Sequence, residues 1–265
     1  MKIGIVGCAG RMGRMLIQEV LATPGAGLAG GTEPSGPAIG QDLGLLIGAK
    51  VLGVAVASDT RALFTASDVV IDFTVPAATK IHAELAAATG KALVIGTTGL
   101  GDDVRAAIAA AAKKAVVIQA PNMSVGVNVL LALTEKLAAI LGSEYDVEIL
   151  EMHHRHKVDA PSGTALGFGE AAAMGRKVNL KAVARTTRDG QVGLRPAGEI
   201  GFATLRGGDL VGDHTVIFAA DGERIEITHR ASSREIFAKG AVRAALWAKG
   251  RAPGLYSMRD VLGLG

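Results

Sequence analysis

Cysteine occurs once among the 265 residues, at Cys8, and aromatic side chains make up only 3% of the chain. A lone cysteine excludes an intrachain disulfide and any cysteine-built structural zinc site. No stretch of roughly 18 residues stays apolar without charge or clustered Gly and Pro, which excludes a membrane-spanning helix. The amino-terminal MKIGIVGCAGRMGR has too short an apolar run for a secretory signal, so a cytosolic protein is expected. An excess of one charge is also missing. The 28 Lys and Arg against 25 Asp and Glu leave a net +3, scattered rather than gathered in a stripe, and neither nucleic acid nor a membrane is indicated as a partner.

What is abundant is small: 36 Gly and 46 Ala. They follow no collagen period, and a mean hydropathy of +0.35 rules out a disordered chain. A chain of this length buries roughly 70–75% of its unfolded surface, enough for two modest cores. With so few aromatics those cores must be built from Val, Ile, Leu and Ala, the composition of parallel strands covered on both faces by helices.

Short β-branched runs alternate with Ala-rich helical stretches from Lys2 onward. IGIVG, RMGRMLIQEVLA and AGLAGGTE read as strand, helix and strand. Val69 to Phe73, PAATKIHAELAAA, ALVIG, DDVRAAIAAAAKKA and AVVIQA then repeat the pattern, which means a Rossmann-like, doubly wound α/β sheet. The segment from Pro34 to Lys50 carries Gly and Pro without periodicity and reads as a mobile surface loop. After Asn122 the grammar changes. A helix over Val125 to Leu141, the strand YDVEILEMHH, a helix from Ser162 and three further strands, the last two joined by a turn at Asp221-Gly222, predict a second α+β domain with a mixed sheet. Ser232 and Glu235 have the spacing of a capping box before a final helix through Trp247. The expected division is 1–124 with 234–265 as a dinucleotide-binding domain, and 125–233 as a substrate-binding domain.

Gly7, Gly10 and Gly13 form GxxGxxG between the first strand and first helix, where glycine lets the backbone approach a pyrophosphate at a helix amino terminus. Glu33 ends the second strand, 20 residues after Gly13, where a carboxylate meets the ribose hydroxyls of NAD. The competing explanation is that these glycines serve only close helix–strand packing. Gly96-Thr97-Thr98-Gly99 and Ala120-Pro121-Asn122-Met123 follow predicted strands at the sheet edge where open α/β sheets bind ligands.

The densest titratable segment runs from Glu151 through His153, His154, Arg155, His156, Lys157 and Asp159 to Pro161-Ser162-Gly163-Thr164. Crowded cations depress one another's pKa and bring a His or Lys toward acid–base use, while the following helix amino terminus is a natural carboxylate receptor. Alternatives are a solvated basic loop, or zinc bound by His154 and His156, against which stands the want of HExxH or CxxC. His82, His214 and His229 are isolated and read as ordinary surface or sheet residues.

EMHHRHKVDAPSGTA, together with GCAGRMGR, IDFTVP, VIGTTG, APNMSVGVN and GDLVGDHTVIF in order, resembles the 4-hydroxy-tetrahydrodipicolinate reductase family, formerly dihydrodipicolinate reductase, along nearly the whole chain. The resemblance implies reduction of a cyclic imine diacid by NAD(P)H, no metal, and a homotetramer assembled through the second domain. It implies His153 as general acid/base, Lys157 as proton donor, and substrate held by His154, Gly163 and Thr164. The cofactor would meet Gly7, Cys8, Ala9, Gly10, Arg11, Met12, Glu33, Gly96, Thr97, Thr98, Ala120, Pro121, Asn122 and Met123. Where dual-specificity members carry Arg after the acid, this chain has Pro34, which offers no donor to a 2′-phosphate, so NADH is expected over NADPH. A semialdehyde dehydrogenase would need a cysteine in the substrate domain. An NAD(H)-sensing regulator would need no chemistry-specific cluster.

Overall fold

A computed structural model describes residues 1–264. The chain divides into two compact units, residues 1–125 with 235–265, and residues 126–234.

The first unit is built on β1 (Lys2–Val6), β2 (Gly27–Thr32), β3 (Val56–Ala57), β4 (Val69–Asp72), β5 (Ala92–Ile95) and β6 (Val116–Gln119). With β12 (Gly254–Tyr256) these strands form a parallel sheet of order β12-β6-β5-β4-β1-β2-β3 among the described residues. The order reverses beside β1, at the crevice where such sheets take ligands. Helices α1 (Arg11–Ala22), α3 (Thr60–Ala66), α4 (Pro76–Thr89), α5 (Asp102–Ala112) and α9 (Glu235–Trp247) are the longer ones. Every residue of β4 and β5 is buried. Each Val or Ile so covered contributes about 1.5–3 kcal/mol, which is why these strands read as unbroken apolar runs.

Local chemistry sets the helix ends. Pro76 opens α4, where its missing N–H costs nothing, and Gly90 closes it at φ 67°. Asp102 and Asp103 sit in the first turn of α5, favourably placed for the helix dipole. The segment after Pro34 departs from a plain surface loop. It forms α2 (Leu43–Leu46), whose Leu43 and Leu46 join the core. Asp42 accepts hydrogen bonds from the N–H groups of Gly44, Leu52 and Val54 at 2.8, 2.9 and 3.1 Å, tying its two ends together. The last long helix begins at Glu235 rather than just after Ser232. The carboxyl-terminal β12 and α10 (Met258–Leu262), without a periodic signature in the sequence, complete this unit.

The second unit holds α6 (Val125–Leu141) from its second residue on, β7 (Asp146–His153), α7 (Gly163–Arg176), α8 (Leu180–Val183), β8 (Ala184–Arg185), β9 (Ile200–Arg206), β10 (Gly212–Ala220) and β11 (Glu223–Ala231). Its sheet, of order β11-β10-β7-β9-β8, is mixed: β10 runs antiparallel to β7 and β11, while β9 runs parallel to β7 and β8. Along β7 the buried residues are Val147, Ile149, Glu151 and His153, and along β10 Gly212, His214, Val216 and Phe218. The period of two thus carries one sheet face from an apolar core around Phe168 and Phe218 into a row of titratable groups at its end.

Candidate active site

In the first unit Gly7 turns the chain at φ 67°, and its N–H donates to the Thr32 carbonyl at 2.9 Å. A Cβ on Gly13 would lie 2.2 Å from the Gly7 carbonyl oxygen, so Gly13 does serve close packing of helix on loop. Gly10 is the N-cap of α1 and leaves that helix start without a side chain over its N–H groups. Glu33 reaches back, its carboxylate accepting from the Ala9 N–H at 2.7 Å, and this puts an acid beside the loop. The arrangement fits a dinucleotide: an uncovered helix amino terminus for pyrophosphate, and a carboxylate at the end of β2 for ribose.

Cys8 is fully buried against Gly31, and burial together with Glu33 pushes its thiol up to about 12. It is an inert core residue at neutral pH, with only its backbone turned to the loop. Arg11 and Thr98 are exposed, Met12 half-buried, and Met123 and Ala120 buried. Pro121 is exposed and Asn122 half-buried, and the Asn122 carboxamide accepts from the Ser124 N–H at 2.8 Å.

Thr97 is tied to residues that the sequence reading left aside. Asp72, fully buried at the end of β4, accepts from the Thr74 N–H and hydroxyl at 2.8 and 2.6 Å, from Thr79 at 2.8 Å and from Thr97 at 3.2 Å. His82 Nδ1 lies 2.8 Å from its other face. His82 is therefore no surface residue. Burial pushes the Asp72 carboxyl up, but His82 and the Thr74 donors outweigh it and hold the group below its usual range. Such a depressed carboxylate stabilises the fold above pH ~4 and loses that contribution as pH falls through its folded-state value. Asp72→Asn is expected to lower stability by about 1–3 kcal/mol at neutral pH and to flatten the acid limb of unfolding. Circular dichroism melts between neutrality and acid check this; an unchanged acid limb contradicts it.

In the second unit the predicted cluster surrounds the end of β7. His153 is 7% exposed, and its Nδ1 stands 2.6 Å from Glu151 Oε2. Glu151, 1% exposed, accepts a two-pronged contact from Arg206 at 2.7 and 3.0 Å, and the Ser162 N–H at 3.0 Å. His214 is buried, with its ring 5.0 Å from that of His153 and its Nε2 3.0 Å from the Ser162 hydroxyl. It is neither isolated nor at the surface. His229 faces it across β10 and β11.

Burial is the main reason His153 is held below the ordinary imidazole range, with Lys157 and Arg206 adding to it and Glu151 opposing. Burial next to His153 lowers His214 to about 4, which keeps it neutral. Cation crowding, the expected cause, is secondary at His153. At His154 it follows desolvation, through Arg234, His156, Lys157 and Arg206. Lys157 lies 2.8 Å from Asp159 and is not a bare cation. Ser162 caps α7 by accepting from the Ala165 N–H at 3.1 Å. Nothing lies within 4 Å of a Cβ built on Gly163, so the helix start is open there. Among the described residues no three His, Cys, Asp or Glu side chains converge as a metal site. No helix there is long and apolar enough to cross a membrane.

The models of the dihydrodipicolinate reductase amino-terminal and carboxyl-terminal domains match residues 1–123 and 126–262. A 4-hydroxy-tetrahydrodipicolinate reductase of Magnetococcus marinus is 54% identical over 263 residues, covering 99% of this chain and 98% of the relative. That of Methylocella silvestris is 55% identical over 266 residues, covering 100% and 98%. Among solved structures, a dipicolinate-bound dihydrodipicolinate reductase from Paenisporosarcina sp. TG-14 aligns with a TM-score of 0.77 at 24% identity over 98% of each chain. A probable dehydrogenase from Thermotoga maritima aligns at 0.63 with 12% identity, over 100% of this chain and 93% of that one. With both halves matched and full-length relatives more than half identical, the chain belongs to the 4-hydroxy-tetrahydrodipicolinate reductase family of oxidoreductases.

Proposed function

We propose that this protein uses a reduced nicotinamide dinucleotide to reduce the cyclic imine diacid formed when 4-hydroxy-tetrahydrodipicolinate loses water, yielding tetrahydrodipicolinate on the diaminopimelate route to lysine. The observation that carries the reading is the end of β7, where a buried imidazole stands beside a carboxylate–guanidinium pair and precedes an open helix start.

When bound, the dinucleotide supplies a hydride, which goes to ring carbon C4 of the conjugated imine. Negative charge then builds on the ring, and a proton must reach the adjacent carbon. One proton is needed, and His153 in its imidazolium form donates it; Lys157, the other proton-bearing cation of the cluster, compensates the developing charge and resupplies the proton to His153. Gly163 and Thr164, at the start of α7, receive one substrate carboxylate, and His154 binds the diacid. In the first unit Gly7 to Met12 would hold the pyrophosphate, Glu33 would meet the ribose, and the loops Gly96–Thr98 and Ala120–Met123 would border the nicotinamide. A homotetramer is carried over from the family, and exposed Val129, Leu133 and Ile140 on α6 support assembly through the second unit.

NADH is the preferred donor. Glu33 offers a negative charge and Pro34 no hydrogen-bond donor to a 2′-phosphate. With substrate generated from pyruvate and aspartate semialdehyde by the preceding synthase, kcat/KM is expected to be higher for NADH than for NADPH. A clear NADPH preference overturns the assignment of specificity. Failure to oxidise either cofactor overturns the function.

A further inference from the structure

We propose that Glu151 is the positioning residue of the reaction: its carboxylate fixes His153 with the proton on Nδ1, so that Nε2 alone exchanges protons with the substrate. This rests on the reading of His153 as acid/base.

The register of three strands makes the arrangement. Glu151 and His153 are two apart on β7 and therefore share a face. On one side Thr204 and Arg206 of β9 stand opposite Glu151 and His153. On the other, His214 of β10 stands opposite Glu151. Oε2 of Glu151 is taken by His153 Nδ1 and one Arg206 nitrogen. Oε1 is taken by the other Arg206 nitrogen, the Ser162 N–H and, at 3.4 Å, the Thr204 hydroxyl. Every one of these neighbours donates or can donate. A carboxylate so surrounded stays ionised and can only accept, so the hydrogen between it and His153 belongs to Nδ1. Neutral His153 then carries its lone pair on Nε2, and becomes an acid only as imidazolium.

Nε2 points toward Gly212, where a Cβ would come within 2.7 Å of it. The other side chain beside that position is His214, whose Cε1 would lie 3.5 Å from the same Cβ. The charged and titratable groups facing His153 are Glu151 from β7, Lys157 from the loop after it, Arg206 from β9 and His214 from β10. Glu151 favours the imidazolium, while Arg206 and Lys157 oppose it. The buried Glu151 and the half-buried Arg206 paired with it therefore pull the His153 equilibrium in opposite directions.

The experiment uses the full chain with Glu151→Gln and Arg206→Gln. It follows the pH profile of kcat and the titration of the His153 ring by nuclear magnetic resonance, with ring nitrogen shifts reporting the tautomer. Activity that needs imidazolium falls as pH rises through the His153 pKa. Glu151→Gln should move that limb and the ring titration to lower pH, with kcat at neutral pH down about 10- to 100-fold. Arg206→Gln should move both to higher pH. The neutral parent ring should carry hydrogen on Nδ1. A limb unmoved in both variants, displacement of both in the same direction, or hydrogen on Nε2 in the parent overturns the proposal. If Glu151→Gln does not fold, the Arg206→Gln displacement decides alone, upward in support and otherwise against. Should His153→Ala keep parental turnover, the acid/base reading has failed, yet the ring titration still reports whether Glu151 sets the state of His153.

Discussion

His153→Ala is expected to lower kcat about 10²–10⁴-fold, with dinucleotide binding unchanged. The size follows from what is lost. Protonation beside a carbon that has just gained charge needs a positioned donor, and His153 lies in a nearly dry setting where Glu151 steadies its charged form. The fold should survive. Truncation leaves Glu151 still paired with Arg206 and the Ser162 N–H, so no buried charge is orphaned. Lys157→Ala should cost about 10² in turnover through loss of the second cation. Its Asp159 partner is largely exposed and needs no replacement. Steady-state kinetics, fluorescence titration of NADH and a thermal melt on the same preparations separate lost chemistry from lost structure. Parental kcat in His153→Ala contradicts the role.

Gly240→Ala, one methyl on a helix, is expected to destabilise the first unit by about 3 kcal/mol or more, at the upper end of what overpacking does. Alanine ordinarily favours a helix over glycine by about 1 kcal/mol. Here its Cβ would stand 1.7 Å from the carbonyl oxygen of Met123, backbone that cannot swing aside as a flexible side chain would. Relief requires α9 to retreat, or the Ala120–Met123 loop to shift. The first alternative disturbs the core that Ala238, Ala241, Val242 and Ala245 share with the sheet. The second moves a proposed nicotinamide contact. Urea unfolding and NADH binding together check the expectation; a variant as stable as the parent contradicts it.

The parallel first sheet was legible because runs such as Val69–Ile71 and Leu93–Ile95 are buried on both faces, and glycine punctuates their ends. The short pieces were not. Gly254–Tyr256 becomes a strand only by pairing with β6, and Leu43–Leu46 is a single turn held by Asp42. The titratable run at 151–164 stood out as sequence. What its members touch did not, because Arg206 and His214 arrive from strands whose register against β7 is tertiary. A signal existed nonetheless. Val147, Ile149, Glu151 and His153 alternate on one face, as do His214, Val216 and Phe218, so each polar residue continues a buried stripe. A histidine in phase with core residues is a buried histidine. Asp72 and His82 carry the same lesson, ten residues apart on a strand end and a helix, and joined only by folding.

The central claim is tested most directly by following hydride. With NADH deuterated at the transferable position of the nicotinamide, and substrate made in situ by the synthase, the protein should oxidise NADH only when both synthase substrates are present. Mass spectrometry should then find one deuterium, at ring carbon C4, in the tetrahydrodipicolinate formed. Binding of NADH without substrate-dependent oxidation, or product free of deuterium, would contradict the account.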